Sequence, residues 1–123
     1  MNTKSDGFSD TSLTGLFFTF KGRLNRKRYF MRLLLLFLVE WLLFRVVDGF
    51  GLDHTSLVIM IPCWLASFSL ISRRAHDTGH SAALFLVLWM IPIINVLAGL
   101  YLLFREGDIG SNEYGPDPLQ PSL

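Results

Sequence analysis

The sequence predicts an all-α membrane protein with three transmembrane helices, an N-terminal interfacial amphipathic helix and an irregular C-terminal tail. Apolar residues make up 51% of the 123 residues, and the mean hydropathy is +0.43. They are concentrated in runs: residues 55–72 carry no charge over 18 positions, and residues 81–104 carry none over 24. A helix needs about 20 apolar residues to cross a hydrocarbon layer about 30 Å thick. A 24-residue uncharged run is too long to hide in the core of a 14.0 kDa soluble protein.

The N-terminal segment is predicted to lie outside the hydrocarbon. Residues 1–12 are polar and are expected to be flexible. Apolar residues then recur at i, i+3, i+4 and i+7, on one face of a helix: Leu13, Leu16, Phe17 and Phe20. The uncharged part of this stretch would rise only about 15 Å as a helix, which is too short to cross. We therefore interpret residues 13–28 as a basic segment that lies in the membrane interface.

The transmembrane domain is predicted over residues 29–104, and its first span over about 29–47. This span is the least hydrophobic, because it includes Glu40 and two arginines. Glu40 lies about 16 Å along the helix from Tyr29, close to the midplane. A carboxylate at that depth is costly and usually faces a partner or a water-filled cavity. Two hypotheses remain: a proton relay or substrate ligand, or a structural group that is protonated or paired.

The second span is predicted over about 55–71 and the third over about 81–104. The third contains Pro92 and Asn95, and we interpret it as an ordinary span. In the alternative, Pro92 splits this run into a re-entrant hairpin that returns the tail to the cytoplasm. The tail, residues 105–123, is rich in Gly, Pro, Asp and Asn, which predicts successive turns.

Basic residues are distributed unequally between the segments that flank the spans. The N-terminal segment and the second connection, residues 72–80, together hold eight Lys and Arg, whereas the first connection and the tail hold only Arg105. For a protein of a bacterial cytoplasmic (inner) membrane, the positive-inside rule then predicts a cytoplasmic N-terminus and, after three spans, an external tail. Because the bases adjoin a hydrophobic segment, we predict no nucleic-acid partner.

Three motifs resemble a known family. Residues 20–30 read FKGRLNRKRYF, similar to F-x-G-R-x-x-R-x-x-Y-W, and residues 73–81 read RRAHDTGHS, similar to R-R-x-H-D-x-G-x-S. Residues 107–118 match G-x-x-G-x-N-x-Y-G-x-D-P. In this order they resemble the bacterial inner-membrane family called domain of unknown function 805. The chain departs from the pattern at Phe30, where Trp is usual, and at residues 82–84, where Gly and Trp are usual.

This resemblance implies membrane placement but no activity, because the family's role is unassigned. Its motifs supply candidate binding or structural residues. Gly22, Arg23 and Arg26 lie in a basic stretch that either binds anionic lipid headgroups or only fixes the topology. The second motif offers an acid, an imidazole and two guanidiniums at the membrane surface, or a tight turn whose aspartate caps the last span. The second and third motifs add these candidates: Arg73, Arg74, His76, Asp77, Gly79, Asn112, Tyr114 and Gly115.

The second motif also reads as H-D-x-x-H, from His76 to His80. The related zinc-protease motif places two histidines on one face of a continuous helix, with a third ligand nearby. Here Gly79 interrupts the motif, and the remaining histidine, His54, is distant in sequence. We therefore predict no metal and no cofactor.

These observations leave three functional hypotheses. The favoured one is a non-enzymatic helix-interaction or assembly protein, in which small residues such as Cys63 and Ser67 let other membrane helices, or a second copy, approach. The second is a small oligomeric transporter or permeation element that uses Glu40 and Asn95. The third is a membrane enzyme that uses the polar group of the second motif: Arg73, Arg74, His76 and Asp77.

Overall fold

The computed structural model describes residues 13–52 and 55–119, which form five α-helices and no β-strand. The predictions for residues 1–12, His54 and residues 120–123 lie outside this range. The predicted all-α class is confirmed over the described residues. The helices are α1 (Leu13–Phe17), α2 (Arg26–Gly49), α3 (Thr55–Asp77), α4 (Ala82–Trp89) and α5 (Ile94–Phe104).

The two long helices, α2 and α3, form an antiparallel pair. The Asn25 side chain caps α2 by accepting a hydrogen bond from the Arg28 N–H at 2.9 Å. At the same end of the pair, the Leu24 N–H donates to the Arg73 carbonyl at 3.1 Å. Helices of 24 and 23 residues rise about 35 Å, enough to cross a bilayer. One described helix, over Leu57–Asp77, is long and apolar enough to cross a membrane. Helix α2 is long enough, but it carries too many charged residues to meet the same criterion.

The predicted third span is two helices, so the prediction of one continuous helix over residues 81–104 is wrong. Pro92 has no N–H to donate, and Ile93 adopts a φ of 71° in the left-handed region, so the helix ends at Trp89 and restarts at Ile94. Helices α4 and α5 pack against each other and against α3. The structure therefore shows a helical hairpin here, as in the alternative, while the re-entrant position of this hairpin in the membrane stays a prediction. At 8 and 11 residues, its helices rise only about 12 and 16 Å.

The second connection is shorter than predicted, because α3 continues through its charged residues to Asp77. Gly79, with a φ of 79°, ends the helix. The His80 N–H donates to the Ala75 carbonyl at 3.0 Å and the Gly79 N–H to the His76 carbonyl at 3.1 Å, as in a Schellman cap. The prediction that Asp77 caps the next helix is wrong. Ser81 caps α4 by accepting from the Leu84 N–H.

The N-terminal helix is also shorter than its apolar spacing predicts, since α1 covers five residues and the chain is irregular from Phe18 to Asn25. Gly22, at a φ of 91°, lies in this irregular stretch. Leu24 is fully buried. Three side chains from α2 and α3 donate to carbonyls of this segment: Arg73 to Gly15, Arg32 to Leu16, and Ser69 to Thr19. Its position in the membrane interface stays a prediction.

The buried core is small and continuous, and it lies between α3 and its neighbours. Cys63 and Ser67 belong to this buried side of α3, so they pack inside the chain and are not open to another helix. Large apolar side chains remain exposed along α2, α3 and the hairpin, as expected of a surface that faces lipid. The core cluster consists of Leu24, Tyr29, Leu36, Cys63, Ala66, Leu70, Ile71, Ala75, Phe85, Ala98 and Leu102.

Candidate functional site

The three sequence motifs meet at one end of the helix bundle, where α3 and α5 end and α2 begins. The first motif spans the start of α2, the second runs from the last turn of α3 to the cap of α4, and the third lies in the tail after α5. The convergence brings charged and aromatic side chains from distant parts of the chain into contact. We call the group the polar junction: Arg23, Arg74, His76, Asp77, Asp108, Asn112 and Tyr114.

Asp77 is the centre of the polar junction. Its Oδ1 accepts a hydrogen bond from Arg23 Nε at 2.9 Å, and its Oδ2 accepts one from Arg74 Nη1, one helical turn earlier on α3. All three side chains are buried, with at most 3% of any side chain exposed. Buried charges are stable only when they are paired and their remaining polar atoms are hydrogen-bonded. One carboxylate therefore holds two guanidiniums.

The other donors of the two arginines bind backbone carbonyls. Arg23 donates to the Gly110 carbonyl at 2.6 Å and also to the carbonyls of Asp108 and Gly115, so it holds the tail. Arg74 donates to the Leu102 carbonyl at 2.6 Å and to the Arg105 carbonyl, at the C-terminal end of α5. A cation there satisfies helix carbonyls that have no partner within the helix. The arginines thus join the N-terminal segment, α3, α5 and the tail.

His76 and Tyr114 form the aromatic side of the polar junction. Their rings are parallel, with an interplanar angle of 6° and centroids 4.1 Å apart. His76 Nδ1 lies 3.0 Å from the Gly22 carbonyl oxygen. Asn112 Nδ2 donates to the His76 carbonyl and to Asp108 Oδ2, both at 2.9 Å. The tail therefore contacts the last turn of α3 through a ring, an amide and a carboxylate.

At two positions of the motifs, a residue larger than glycine would clash with a neighbouring side chain. A Cβ on Gly107 would overlap Asp77 Oδ2, so the tail passes against this carboxylate only without a side chain. A Cβ on Gly79 would lie 2.5 Å from Asp108 Oδ2, and its positive φ also favours glycine. Gly115, with a φ of 134°, closes a turn of the tail in which its backbone pairs with that of Asn112.

The geometry separates the two histidines of the second motif. His76 faces Tyr114, whereas His80 lies edge-on to Phe85 and Tyr101 and contacts the Thr78 hydroxyl. Within residues 13–52 and 55–119, no three His, Cys, Asp or Glu side chains lie together as a metal site would require. Arg26, the remaining basic candidate, is solvent-exposed, and its guanidinium is 3.8 Å from Glu106. The polar groups of the second motif are thus occupied by contacts that hold the fold.

The polar junction also fixes where the tail lies. Arg23 precedes α2, and its guanidinium binds three tail carbonyls, so the N-terminal segment and the tail are at the same end of the bundle. Three spans would place them at opposite ends. The structure instead brings them to the same end, because the last apolar run turns back at Pro92. The side of the membrane on which the tail lies stays a prediction.

Glu40 and Asn95 face different cavities. Glu40 lines a cavity of about 340 Å³ between α2, α3 and the end of α4. Asn95 lines a neighbouring cavity of about 380 Å³ between α2 and α5, and Phe37 and Trp89 form walls of both. Within one chain the two polar side chains therefore line separate cavities, and the oligomeric permeation element stays a prediction. The sequence did not predict Trp64 and Trp89 as cavity residues. The one signal for them was a tryptophan within each of two apolar runs.

Residues 17–116 match the sequence profile of a family described as a protein of unknown function, DUF805. The chain belongs to the DUF805 family. The match begins at the end of α1 and ends in the tail, so it covers the α2–α3 pair, the hairpin and the polar junction. No solved structure matches the chain.

Two relatives of this DUF805 protein are inner membrane proteins of Escherichia coli. The chain is 35% identical over 101 residues to "Inner membrane protein YhaI", which covers 80% of this chain and 85% of the relative. It is 32% identical over 113 residues to "Inner membrane protein YhaH", which covers 83% and 89%. The predicted family and the predicted membrane class are thereby confirmed.

Proposed function

We propose that this DUF805 protein is a multi-pass inner-membrane protein that acts without catalysis, by binding other membrane helices, first of all those of a second copy. In the proposed placement α2 and α3 cross the bilayer, and the α4–α5 hairpin enters from the cytoplasmic side and returns to it. The N-terminal segment and the tail are then both cytoplasmic. Basic residues support this orientation, because eight described Lys and Arg flank the helices at the polar-junction end, while Arg45 is the base near the other end. The eight are Lys21, Arg23, Arg26, Lys27, Arg28, Arg73, Arg74 and Arg105.

The turn of the hairpin carries the proposal. Met90 and Ile93 are 80% and 77% exposed, and the chain between Trp89 and Ile94 is not helical. Because α4 and α5 rise only about 12 and 16 Å, this turn ends inside a hydrocarbon layer about 30 Å thick. Non-helical backbone at that depth is tolerated when protein covers it, but not when it faces lipid. A neighbouring helix over the turn would supply that cover.

Cross-linking in native membranes tests the proposal. In a Cys63→Ser background, Met90→Cys should form a disulfide-linked dimer under mild oxidation, since a second copy covers the turn. The matched control is Trp41→Cys, another exposed apolar position, which lies on α2 away from the hairpin. Equal cross-linking at the two positions would contradict contact through the turn. A monomeric mass of the purified protein, together with no dimer at Met90→Cys, would contradict self-association.

A second proposed activity is binding of anionic lipid headgroups. The side chains of Arg26 and Lys27 are exposed at the start of α2, and that of Lys21 is exposed in the irregular stretch before it, next to the apolar surface. Each base near an anionic leaflet contributes about 1 kcal/mol of attraction. In the proposed placement this attraction holds the polar junction at the cytoplasmic headgroups. It is compatible with helix association, which uses the hairpin turn.

A further inference from the structure

The cavity at Glu40 is built where three helices converge. Phe37 and Glu40 are three residues apart on α2, so they share one face of that helix. Trp64, Ser67 and Phe68 share one face of α3 in the same way. Trp89, the last residue of α4, closes the side next to the hairpin turn. Glu40 is about 21 Å along α2 from Arg26 and about 14 Å from Gly49, well inside the proposed span.

The carboxylate of Glu40 has no cationic partner in the described part of the chain. The salt bridges there involve Asp77 and Glu106 as acids, and Glu40 forms none of them. A carboxylate inside a membrane normally faces a partner or an ion pathway, because a charge in hydrocarbon is costly. A bound cation would neutralise it.

The rest of the wall selects the kind of cation. Four of the six lining residues are aromatic: Phe37, Trp64, Phe68 and Trp89. The face of an aromatic ring attracts a cation, most strongly for tryptophan, and aromatic walls recognise quaternary ammonium groups. A metal ion would need several oxygen ligands, whereas this wall offers one carboxylate and the Ser67 hydroxyl. A cavity of about 340 Å³ is in the range of small-molecule sites.

We propose that the cavity lined by Glu40, Trp64 and Trp89 is a binding site for lipophilic organic cations. Phe37 and Trp64 are about half-exposed, on a surface that faces lipid in the proposed placement, so a cation that partitions into the bilayer reaches the carboxylate laterally. Glu40 balances its charge, and the aromatic rings replace water around its apolar groups. This site borders the hairpin turn through Trp89, but its whole lining comes from one chain, so it does not depend on self-association.

Equilibrium binding of tetraphenylphosphonium to the purified protein in detergent tests the site. We expect saturable binding of one cation per chain, with the neutral triphenylphosphine oxide binding at least tenfold more weakly. Glu40→Gln should weaken cation binding at least tenfold, because it keeps the shape but loses the charge. Trp64→Leu should weaken it several-fold. The matched controls are Asp48→Asn and Trp41→Leu, an exposed acid and an exposed tryptophan on α2 that do not line the cavity.

Several outcomes would overturn this proposal. They are the absence of saturable binding by the native protein, equal binding of the neutral analogue, and equal binding by Glu40→Gln. Thermal unfolding of each variant, measured in the same detergent, separates lost binding from lost folding. A native protein that binds no cation but changes its oligomeric mass on Glu40→Gln would show that a second copy supplies the partner, which also overturns the small-molecule site.

Discussion

The imidazole of His76 lies flat against the phenol ring of Tyr114, with the ring centroids 4.1 Å apart. The two residues are far apart in the sequence, one on the last turn of α3 and the other in the tail. Together with the bonds from Arg23 to tail carbonyls, this contact holds the tail against the end of the helix bundle. The tail is therefore part of the fold.

Removing the stack should loosen the tail. Tyr114→Ala deletes the ring, and aromatic pairs contribute about 0.5 to 1.5 kcal/mol beyond their buried area. We expect faster proteolysis within the tail, after Arg105, by a few-fold up to about tenfold. Tyr114→Phe keeps the ring and is the matched control, since it should be cleaved at the native rate. Equal cleavage of the Ala and Phe variants would show that the stack does not hold the tail.

Substitution of the buried Asp77 should destabilise the protein more than substitution of any other side chain of the polar junction. Asp77→Ala leaves the guanidiniums of Arg23 and Arg74 buried without their acid, and breaking a buried pair typically costs about 3 to 5 kcal/mol. We expect a large fall in the midpoint of thermal or denaturant unfolding in detergent. The control is Glu106→Gln, whose pair with Arg26 is exposed and should contribute at most about 1 kcal/mol. Similar losses for the two variants would refute the central position of Asp77.

A methyl group on Gly107 should disrupt the same centre sterically. Its Cβ would overlap the Asp77 carboxylate, so either the tail or the arginine pairing must shift. Gly107→Ala is therefore expected to destabilise the protein and to increase proteolysis of the tail. Gly49→Ala is the matched control, because Gly49 lies in α2 with open space at its Cβ, and alanine favours helix by about 1 kcal/mol. A destabilisation at Gly49 that equals that at Gly107 would contradict this explanation.

Lipid binding at the start of α2 should depend on the exposed bases. The double substitution Arg26→Gln and Lys27→Gln removes about 2 kcal/mol of attraction to an anionic leaflet. We expect the purified variant to retain fewer phosphatidylglycerol molecules than the native protein, as measured by native mass spectrometry. Arg45→Gln, at the other end of α2, should not change retention. Equal lipid retention by the native protein, the double variant and Arg45→Gln would show that these bases only set the topology.

The sequence predicted the helical membrane class because few structures other than a membrane-embedded helix accommodate uncharged runs of 18 and 24 residues. It did not predict the hairpin, since proline is tolerated inside many membrane helices and the outcome at Pro92 depends on neighbouring elements. The extension of α3 to Asp77 was missed because its charges are buried by a tail from another part of the chain. The partners of Arg74 include the backbone carbonyls of Leu102 and Arg105, and a backbone carbonyl has no sequence signature.

The side of the membrane on which the tail lies tests the fold and the proposed placement most directly. In a Cys63→Ser background, Leu52→Cys probes the α2–α3 connection and Ser111→Cys probes the tail, both at exposed positions. In intact cells, a membrane-impermeant maleimide should label Leu52→Cys and should leave Ser111→Cys unlabelled until the inner membrane is permeabilised. Labelling of Ser111→Cys in intact cells would contradict the hairpin that returns the tail to the cytoplasm, whatever the result at Leu52→Cys.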